Sequence, residues 1–450
     1  MKHMWSADAR ICIVGAGAAG LTSALALKER GYKNITIIEG EPVVGGKCHT
    51  RATGDGFLEM GANIFFPGSA VNRLVRRTGA RIMEWYPISL FDYRTGRQQP
   101  FGSTERSFPP TQRVRAYGRL VAAMLRHRRA LRTPGFHACV DMVELATPVR
   151  KWLEERSLEV IHEMAMPFMV GAGLGYPEDD VPVAYFFKML QFIQAMGIRD
   201  LVRRRTYRLE HGYQDLWQRV ASRLLSDVQL YVGARALRVL RPADGPIRVW
   251  TEAGEIVCDA LLITATDRAL SFLDASGEER DLLESLRYFD LFTVGCTVEG
   301  QLPLGLCFIR PHTRSRSTLG RTIAYCPMKV GPVSQMGRYL FYSHGSPSVG
   351  PETIVDNLRH DLSLQGCRII GEPVIQRWPH YFPHVSSQDF AGGFFQRLDR
   401  LQGQRGTYYA GEAVSGTNVS VVADHAETQI ARFFRDHGPT AKGMSHVSSR

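Results

Sequence analysis

The 450-residue chain has no apolar run of about 18 residues or more, the length that a membrane-spanning helix needs. Apolar residues still make up 44% of the sequence, which excludes an intrinsically disordered protein and predicts two or three globular domains. The early lysine is followed by an apolar stretch that holds a glycine cluster, so we expect no signal peptide.

The eight cysteines include no CxxC pair, and no group of cysteines and histidines has zinc-binding spacing. This scatter predicts reduced thiols in a cytoplasmic protein that has no bound metal. Zinc-finger and RNA-binding signatures are also missing, so we expect no nucleic-acid partner despite the net charge of +11. The charge favours either simple solubility or attraction to an anionic partner such as a fatty acid, a membrane surface or an acidic carrier protein.

A glycine cluster follows the first apolar run, at residues 10–14. Gly15, Gly17 and Gly20 precede an amphipathic helix pattern, and a second apolar run ends at Glu39. This order predicts a βαβ unit in which the first glycine permits the turn, the second admits a pyrophosphate and the third lets the helix pack. The helix N-terminus would face the anion, and the acid would bind a ribose.

A second pair of glycines distinguishes a flavin dinucleotide from a nicotinamide dinucleotide as the expected cofactor. Gly45, Gly46, Lys47 and Thr50 follow Glu39 in a pattern that resembles the Glu-x5-Gly-Gly-(Arg/Lys)-x-x-Thr extension of FAD-dependent amine oxidases. The pair would allow a second close backbone approach, on the flavin side of the pyrophosphate. The resemblance therefore implies FAD, held non-covalently.

Three later segments resemble further parts of the same FAD domain. The stretch 406–416, with the helix pattern after it, resembles the second FAD motif. The stretch 228–241 resembles an internal strand that meets the adenine near Ala236, and 259–266 resembles the strand that returns to the FAD domain. The domain is thus expected to be discontinuous.

A second dinucleotide fingerprint is missing. The glycines at 171–177 have the wrong spacing and predict a turn between helices. NAD(P)H is therefore not the expected electron source. Two reaction types remain: a substrate hydride passes to the flavin and on to oxygen, or it passes to the flavin and returns to the substrate.

A closer family likeness rests on four stretches together, 44–50, 59–62, 380–390 and 401–412. They resemble the FAD-dependent polyunsaturated fatty acid double-bond isomerases, of the linoleic acid isomerase type, within the flavin amine oxidase superfamily. The likeness implies an α/β fold with a Rossmann-type FAD-binding domain, a mixed-sheet substrate domain and a helical cap. It also implies a redox-neutral reaction in which flavin N5 takes a hydride and returns it, with no side-chain base required.

The expected domain boundaries follow from this resemblance. The FAD-binding domain is predicted from residues 8–75, 208–290 and 395–437, the substrate domain from 76–114 and 291–394, the cap from 115–207, and a disordered tail from 438–450.

The motifs also give the predicted contacts. The residues expected to bind FAD are Gly15, Gly17, Ala18, Ala19, Gly20, Glu39, Gly40, Gly45, Gly46, Lys47, Gly61, Ala62, Asn63, Ala236, Gly411, Glu412, Asn418 and Val419. Phe168, Phe192, Met196 and Phe382 are expected to contact the substrate, although most apolar residues at this spacing belong to a core. His380 and His384 are more typical of loop-orienting residues than of a general base.

One departure from the family pattern concerns the substrate head group. The isomerases hold a carboxylate with an arginine before a short hairpin, and that position falls here near Ile88 or Ser89. Arg94 or Arg97 is a substitute only if the hairpin shifts. A free fatty acid, an amide, an ester and a carrier-tethered polyene all remain open as substrates.

Two stretches of the sequence are rich in basic residues. The arginine-rich stretch 119–132 is either a dock for an acidic carrier or, more commonly, a solvated helix face, and the run 203–209 is expected to be solvated. The sequence makes no prediction of the oligomeric state.

The alternatives to an isomerase are an amine or amide oxidase or a desaturase that uses oxygen, and a flavin-binding protein without turnover. Lys329 stands where an oxidase lysine is conceivable, but its surroundings do not match that pattern.

Overall fold

The structure is a computed structural model that describes residues 5–54, 56–139, 143–195, 205–330 and 336–437. Met196 and the tail 438–450 lie outside these ranges, and so does the side chain of Phe192. Predictions on those residues therefore stay predictions.

The described strands are β1 (Arg10–Val14), β2 (Asn34–Ile38), β3 (Thr50–Thr53), β4 (Gly56–Glu59), β5 (Ile82–Glu84), β6 (Ile88–Asp92), β7 (Arg97–Pro100), β8 (Tyr207–Leu209), β9 (Gln229–Tyr231), β10 (Ala236–Leu240), β11 (Ile247–Thr251), β12 (Gly254–Cys258), β13 (Ala260–Ile263), β14 (Arg287–Glu299), β15 (Leu306–Ile309), β16 (Thr322–Val330), β17 (Met336–Gly345), β18 (Arg368–His384) and β19 (Thr407–Tyr409).

The described α-helices are α1 (Ala18–Glu29), α2 (Ser69–Thr78), α3 (Pro110–Arg126), α4 (Arg128–Arg132), α5 (Val149–Glu155), α6 (Glu159–Gly171), α7 (Val183–Ala195), α8 (Tyr213–Arg219), α9 (Gly277–Glu284), α10 (Pro351–Ser363), α11 (Ser387–Ala391), α12 (Phe394–Leu401), α13 (Glu412–Ser415) and α14 (Val419–Phe433). Short 3-10 segments and one π-turn complete them, at Ser103–Ser107, His137–Cys139, Val143–Ala146, Val220–Leu224, Thr266–Ser271, Arg310–Thr313, Arg316–Thr318 and Gln404–Gly406.

A five-stranded parallel sheet has the order β19-β13-β1-β2-β9. The central strand β1 is almost entirely apolar because it is covered on both faces, as parallel strands generally are. Helices α1 and α14 pack against each other beside it. The sheet brings together strands from three distant parts of the chain, and all of them end at one edge.

A seven-stranded sheet has the order β18-β14-β17-β16-β15-β6-β7. Its pairs are antiparallel except for β15 with β6, which run parallel. The sheet is therefore mixed. Helix α6 packs on β15 and β16, and α3 and α5 pack on α6. The predicted α/β class with a Rossmann-type domain, a mixed sheet and a helical cap is confirmed.

The stretch 228–241 differs from its prediction as a single strand. Strand β9 belongs to the parallel sheet, whereas β10 belongs to a separate antiparallel sheet with β11 and β12. Gly233 has a φ of +63° and, with Ala234, donates backbone hydrogen bonds to the carbonyls of Glu41 and Glu39. The chain therefore turns across the end of β2, and this turn divides the strand.

None of the described helices combines the length and the apolar character that a membrane span needs. Every cysteine is buried and unpaired, and the described residues contain no group of histidines, cysteines and acids that could hold a metal ion.

Candidate functional site

The glycine turn after β1 is fixed by the protein's own packing. Gly15 has a φ of +104° and donates its N–H to the Ile38 carbonyl at 2.8 Å. A Cβ on Gly15 would lie 2.5 Å from Thr264 Oγ1, and a Cβ on Gly20 would lie 1.8 Å from the Gly15 carbonyl oxygen. Both positions require glycine whether or not a ligand is bound.

Gly17 differs from these two. A Cβ there would meet no described atom closer than 3.7 Å, so the protein itself leaves room for a methyl group. Gly17 faces the second glycine turn, since it forms a parallel bridge with Gly45, whose N–H donates to the Ala16 carbonyl at 3.0 Å. The two glycine motifs predicted to hold one cofactor therefore lie side by side.

The N-terminus of α1 is open to an anion. Gly17 caps it without a side-chain hydrogen bond, and the first turn contains no acid. Ala18 and Ala19 add only methyl groups. Glu39 lies beside this end, where its Oε2 accepts from Ala16 N at 2.7 Å and its Oε1 accepts from Glu41 N at 2.9 Å. A pyrophosphate at the helix end and a ribose near the acid fit this arrangement.

Lys47 connects three motifs that lie far apart in the sequence. Its Nζ donates to Glu412 Oε2 at 2.5 Å and to the His380 carbonyl at 2.7 Å. Its own carbonyl accepts from Ala62 N at 2.9 Å, and a Cβ on Gly61 would lie 1.9 Å from that oxygen. We call Lys47, Glu412 and the His380 carbonyl the lysine junction.

The C-terminal motif supplies an open acceptor at this junction. Glu412 Oε1 is buried and has no hydrogen-bond partner in the described structure. Gly411, with a φ of +95°, sits so close to β13 that a Cβ would lie 2.6 Å from the Thr264 carbonyl. Asn418 accepts from Ser420 N at 2.9 Å and so caps α14, which begins at Val419.

Asn63 supplies a second unpaired acceptor. Its Nδ2 donates to Cys326 Sγ at 3.2 Å and to Tyr342 Oη at 3.0 Å, whereas its Oδ1 is buried without a partner. A buried unpaired oxygen normally costs stability, so the two lone acceptors fit a ligand that brings donors. Hydroxyl and ring N–H groups of a flavin nucleotide are such donors.

Gly40 and Ala236 lie at the side of the site. Gly40 contacts Arg235, and Ala236 follows directly on β10. The hydrogen bond from Ala234 N to the Glu39 carbonyl, 2.7 Å, holds this segment against the end of β2. The structure thus brings the predicted adenine strand to the same edge as the acid.

A largely buried aromatic cluster continues from the lysine junction along β18. Phe382 and His384 stack at 5.0 Å between ring centroids, and Phe289 stacks on both, at 6.0 and 4.7 Å. Tyr185 meets Phe382 edge-on at 5.3 Å, and His344 lies 5.6 Å from Phe289. These five residues are called the aromatic cluster below.

The aromatic cluster is uncharged at neutral pH. Burial lowers the pKa of His384 and lowers that of His344 to about 4, while burial raises the pKa of Tyr185. Phe382 has a φ of +50°, which is rare for an aromatic residue and is strained. The surrounding rings therefore hold this backbone in an unfavourable conformation next to the lysine junction.

The glycine-rich turn at 171–175 seats the cap on these rings. A Cβ on Gly171 would lie 2.1 Å from Phe308, one on Gly173 2.4 Å from Tyr381, and one on Gly175 2.5 Å from the ring of Phe289. The turn between α6 and α7 was predicted, but its close contact with three strands was not. The alternate spacing of its glycines was the available signal.

Phe168 packs between Phe101 and Phe308, at centroid distances of 6.2 and 5.4 Å, within the cap-to-sheet contact. His380 stacks on Tyr288 at 4.8 Å, and its Nδ1 lies 3.3 Å from Asp267. Lys329 is exposed at the end of β16, away from these contacts.

The hairpin β6–β7 contains the predicted head-group position. Ile88 and Ser89 are buried, whereas Arg94 and Arg97 are exposed at its turn. Ser89 Oγ lies 3.1 Å from Cys307 Sγ, so that hydroxyl is used internally.

Arg208 departs from the solvated face expected for 203–209. It is half-buried on β8 opposite Met83, and its Cζ lies 5.6 Å from the ring of Trp85 and 5.9 Å from that of Phe57. It forms no ion pair with any described residue, and its Nε and the Nε1 of Trp85 are buried donors without acceptors. The run of arginines hid this residue, because sequence alone does not show which arginine a strand turns inward.

The chain matches one protein family and several solved structures over most of its length. Residues 18–424 match the family described as flavin containing amine oxidoreductase. A fatty acid isomerase from P. acnes that produces CLA has the same fold, with a TM-score of 0.84 at 23% identity, over 95% of this chain and 99% of that one. Wild-type putrescine oxidase bound to putrescine gives a TM-score of 0.68 at 15% identity, over 94% and 98% of the two chains.

A curated relative matches only in part. The probable zeta-carotene desaturase of Synechococcus elongatus is 41% identical over 73 residues, which are 16% of this chain and 15% of the relative. The match thus covers less than a fifth of either protein.

The open end of α1, the paired glycine turns and the unpaired acceptors fit a flavin nucleotide, and the family match spans most of the chain. This chain therefore belongs to the flavin containing amine oxidoreductase family, and it is an enzyme whose cofactor is non-covalently bound FAD.

Proposed function

We propose that this enzyme is an FAD-dependent isomerase that moves carbon–carbon double bonds in an unsaturated acyl or polyene substrate. When bound, FAD supplies a group that takes up a hydride at N5 and releases it again, so the net reaction needs no oxidant. The residues around it have to bind the chain, hold it in register and exclude water.

The observation that carries this proposal is the aromatic cluster beside the lysine junction. Four of its members are buried, Phe289 is partly buried, and all are uncharged at neutral pH, so they offer no counter-charge to a protonated amine. A chain of conjugated or skipped double bonds packs well against such rings. The shared fold of the fatty acid isomerase supports the same substrate class.

The cap turn supports the exclusion of water. Gly173 and Gly175 let it approach Tyr381 and Phe289 directly, and Tyr381 Oη donates to the Ala172 carbonyl at 3.1 Å. Phe289 and Tyr381 thus contact the cap, and the strand that carries Tyr381 also carries His380 of the lysine junction. An apolar site that excludes water suits a reaction in which no proton or hydride should be exchanged with solvent.

Arg208 supports a substrate that ends in an acid. This half-buried guanidinium forms no ion pair with a described residue, although its charge opposes the rise in the pKa of the buried Glu59, and a substrate carboxylate would accept both from it and from the neighbouring indole N–H. We therefore propose an unsaturated fatty acid, with its carboxylate near Arg208 and Trp85, in place of the carrier-tethered substrates.

A desaturase is the second candidate, because the zeta-carotene desaturase match also concerns a polyene enzyme. It would pass the hydride on to an external acceptor such as oxygen. The two candidates therefore differ in the fate of the electrons and not in the type of substrate.

The test is an anaerobic absorbance experiment with the FAD-loaded enzyme. Linoleic acid, its methyl ester and a panel of amide-linked polyenes are added in turn, and the flavin and conjugated-diene bands are recorded together. With linoleic acid, we expect the conjugated-diene band to grow over many turnovers. We expect the flavin band to show oxidised flavin at the end.

A flavin that bleaches once and stays reduced until air is admitted would overturn the isomerase and favour the desaturase or oxidase. No change in either band with any member of the panel would overturn both.

A further inference from the structure

The outer face of α3 carries apolar side chains into solvent. Val114, Val121 and Leu125 are 74%, 53% and 62% exposed, and Gly118 lies between them with open space around it. Spacings of four, three and four residues put all of them on one line along the helix. We call these four residues the α3 stripe; over eleven residues it is about 17 Å long.

The opposite face of α3 is anchored in the cap. Ala116 and Leu120 are buried, and Tyr117 contacts Glu105 and Met164. Helix α3 therefore has two apolar faces, and only one of them is used for folding. A stripe of this size on a folded surface is typical of an interaction site.

Arginines border the α3 stripe. Arg115, Arg119 and Arg126 lie along one edge of the helix, and α4 adds Arg128, Arg129 and Arg132 beyond its end. We call these six the arginine border. Five of them, all but Arg126, have no ion pair with any part of the chain that the structure describes, and Arg119 donates to the Arg156 carbonyl at 2.8 Å.

Among the described residues, two acids lie beside Arg119 and Arg126, and both are already paired. Glu155 lies 3.6 Å from Arg156 and 3.8 Å from Lys151. Glu144 accepts from Arg156 at 2.7 Å and from Trp152 at 3.3 Å, and these partners together with His127 hold its pKa below the usual range although burial raises it. Arg126 is 3.6 Å from it and still 75% exposed. The surface therefore keeps a strong positive charge.

The basic end of the surface is held in place from below. Lys188 is buried under α4, and its Nζ donates to the carbonyls of Ala130 and Thr133 at 2.6 and 2.7 Å. These bonds join the end of α4 to α7, and the three arginines of α4 are exposed.

We propose that the α3 stripe and the arginine border dock the enzyme on an anionic lipid surface. A helix with an exposed apolar line and a basic flank lies in the membrane plane, where its apolar side chains enter the acyl region and its arginines meet lipid phosphates. A straight line of three aliphatic side chains favours a lipid surface over an acidic protein, which would need complementary carboxylates and a shaped groove. Docking would bring the cap to the phase in which acyl chains partition, a consequence that rests on the proposed function.

The test is co-sedimentation of the FAD-loaded enzyme with two sets of vesicles. One set contains phosphatidylcholine alone, and the other contains phosphatidylcholine with about 30% phosphatidylglycerol, which makes its surface anionic. We expect binding to the anionic vesicles only, weakened in high salt. Replacing Arg128, Arg129 and Arg132 by Ser should lower the partition coefficient roughly 100-fold, because each contributes about five-fold at such a surface.

Val121→Asp/Leu125→Asp should abolish vesicle binding and leave flavin content and turnover of dispersed substrate unchanged. Leu237→Asp is the matched control, since Leu237 is 52% exposed on β10, far along the chain from the cap. Lack of binding by the wild type, or equal binding by the stripe variant, would overturn the proposal. So would a concentration-dependent dimer that the stripe variant dissociates, or binding to an acidic carrier protein without binding to vesicles. None of these outcomes depends on which reaction the enzyme catalyses.

Discussion

At the scale of single residues, Lys47 links segments that lie far apart in the sequence. It ties the second glycine turn to segments more than 300 residues away, through a carboxylate and a carbonyl. We expect Lys47→Met to raise the Kd for FAD by about 10- to 100-fold, since hydrogen bonds to charged groups contribute about 1.5–3 kcal/mol. Flavin fluorescence titration of the apoenzyme measures this change.

The double variant Lys47→Met/Glu412→Gln provides the control. Lys47→Met leaves the half-buried carboxylate of Glu412 without its counter-charge, and Glu412→Gln removes that carboxylate charge. The losses of FAD affinity in the two single variants should therefore not add in the double variant. Additive losses would show that the two side chains act separately and that the lysine junction is not one unit.

Arg208 gives the sharpest prediction on the substrate. We expect Arg208→Gln to raise the KM for linoleic acid about 10- to 100-fold, because a charge-assisted hydrogen bond is lost. The KM for the methyl ester should change little. Arg94→Gln, at the exposed hairpin turn, is the matched control and should leave both values unchanged. An equal rise for acid and ester would contradict a head-group role.

At the scale of elements, the turn from β1 into α1 contains two kinds of glycine. Gly20→Ala should destabilise the apoprotein by about 3 kcal/mol or more, because the new methyl group would overlap the Gly15 carbonyl. Gly17→Ala should lower the unfolding free energy of the apoprotein by less than about 1 kcal/mol, because there is space for the methyl group. The same variant should bind FAD at least about 100-fold more weakly, because the methyl group would prevent the close approach of the cofactor.

Denaturant unfolding of both apoproteins, followed by FAD titration, separates the two effects. Tight FAD binding by the Gly17→Ala variant would show that the cofactor does not approach this glycine.

The elements also show how far sequence reasoning reaches. The βαβ unit could be predicted because its glycines, its apolar strands and Glu39 lie within 30 residues and obey local rules. The split of 228–241 between two sheets could not, since it depends on hydrogen bonds from Gly233 and Ala234 to another strand. The lysine junction and the inward turn of Arg208 are likewise tertiary, because nothing near them in sequence specifies their partners.

At the scale of the whole molecule, Arg241 joins the small antiparallel sheet to the FAD-binding core. Its fully buried guanidinium binds Asp274 at 2.6 Å and Glu279 at 2.6 and 2.8 Å. Burial raises the pKa of Glu279, but hydrogen bonds from Arg241 and Tyr409 outweigh it and bring that pKa down from 4.5 to about 2. This contribution to stability is complete above pH 4.5 and is lost as the pH falls towards 2.

We expect the wild type to lose about 2 kcal/mol more unfolding free energy than Glu279→Gln between pH 6 and pH 3, from the pKa difference at this one group. Urea unfolding of both proteins at the two pH values measures it. Parallel losses would show that Glu279 does not titrate in this range.

The three-part origin of the parallel sheet has a consequence for biosynthesis. Lys47 and Glu412 are 365 residues apart, so a ribosome that adds about 5–20 residues per second needs on the order of 20 to 70 s to deliver the second after the first. Until β13 has been synthesised, about 250 residues after β1, the strand β1 has no partner on that side, and its apolar edge is open to chaperones or to other nascent chains. The lysine junction can form only after the segment around Glu412 has been synthesised, so chains that terminate before this segment lack the complete candidate site.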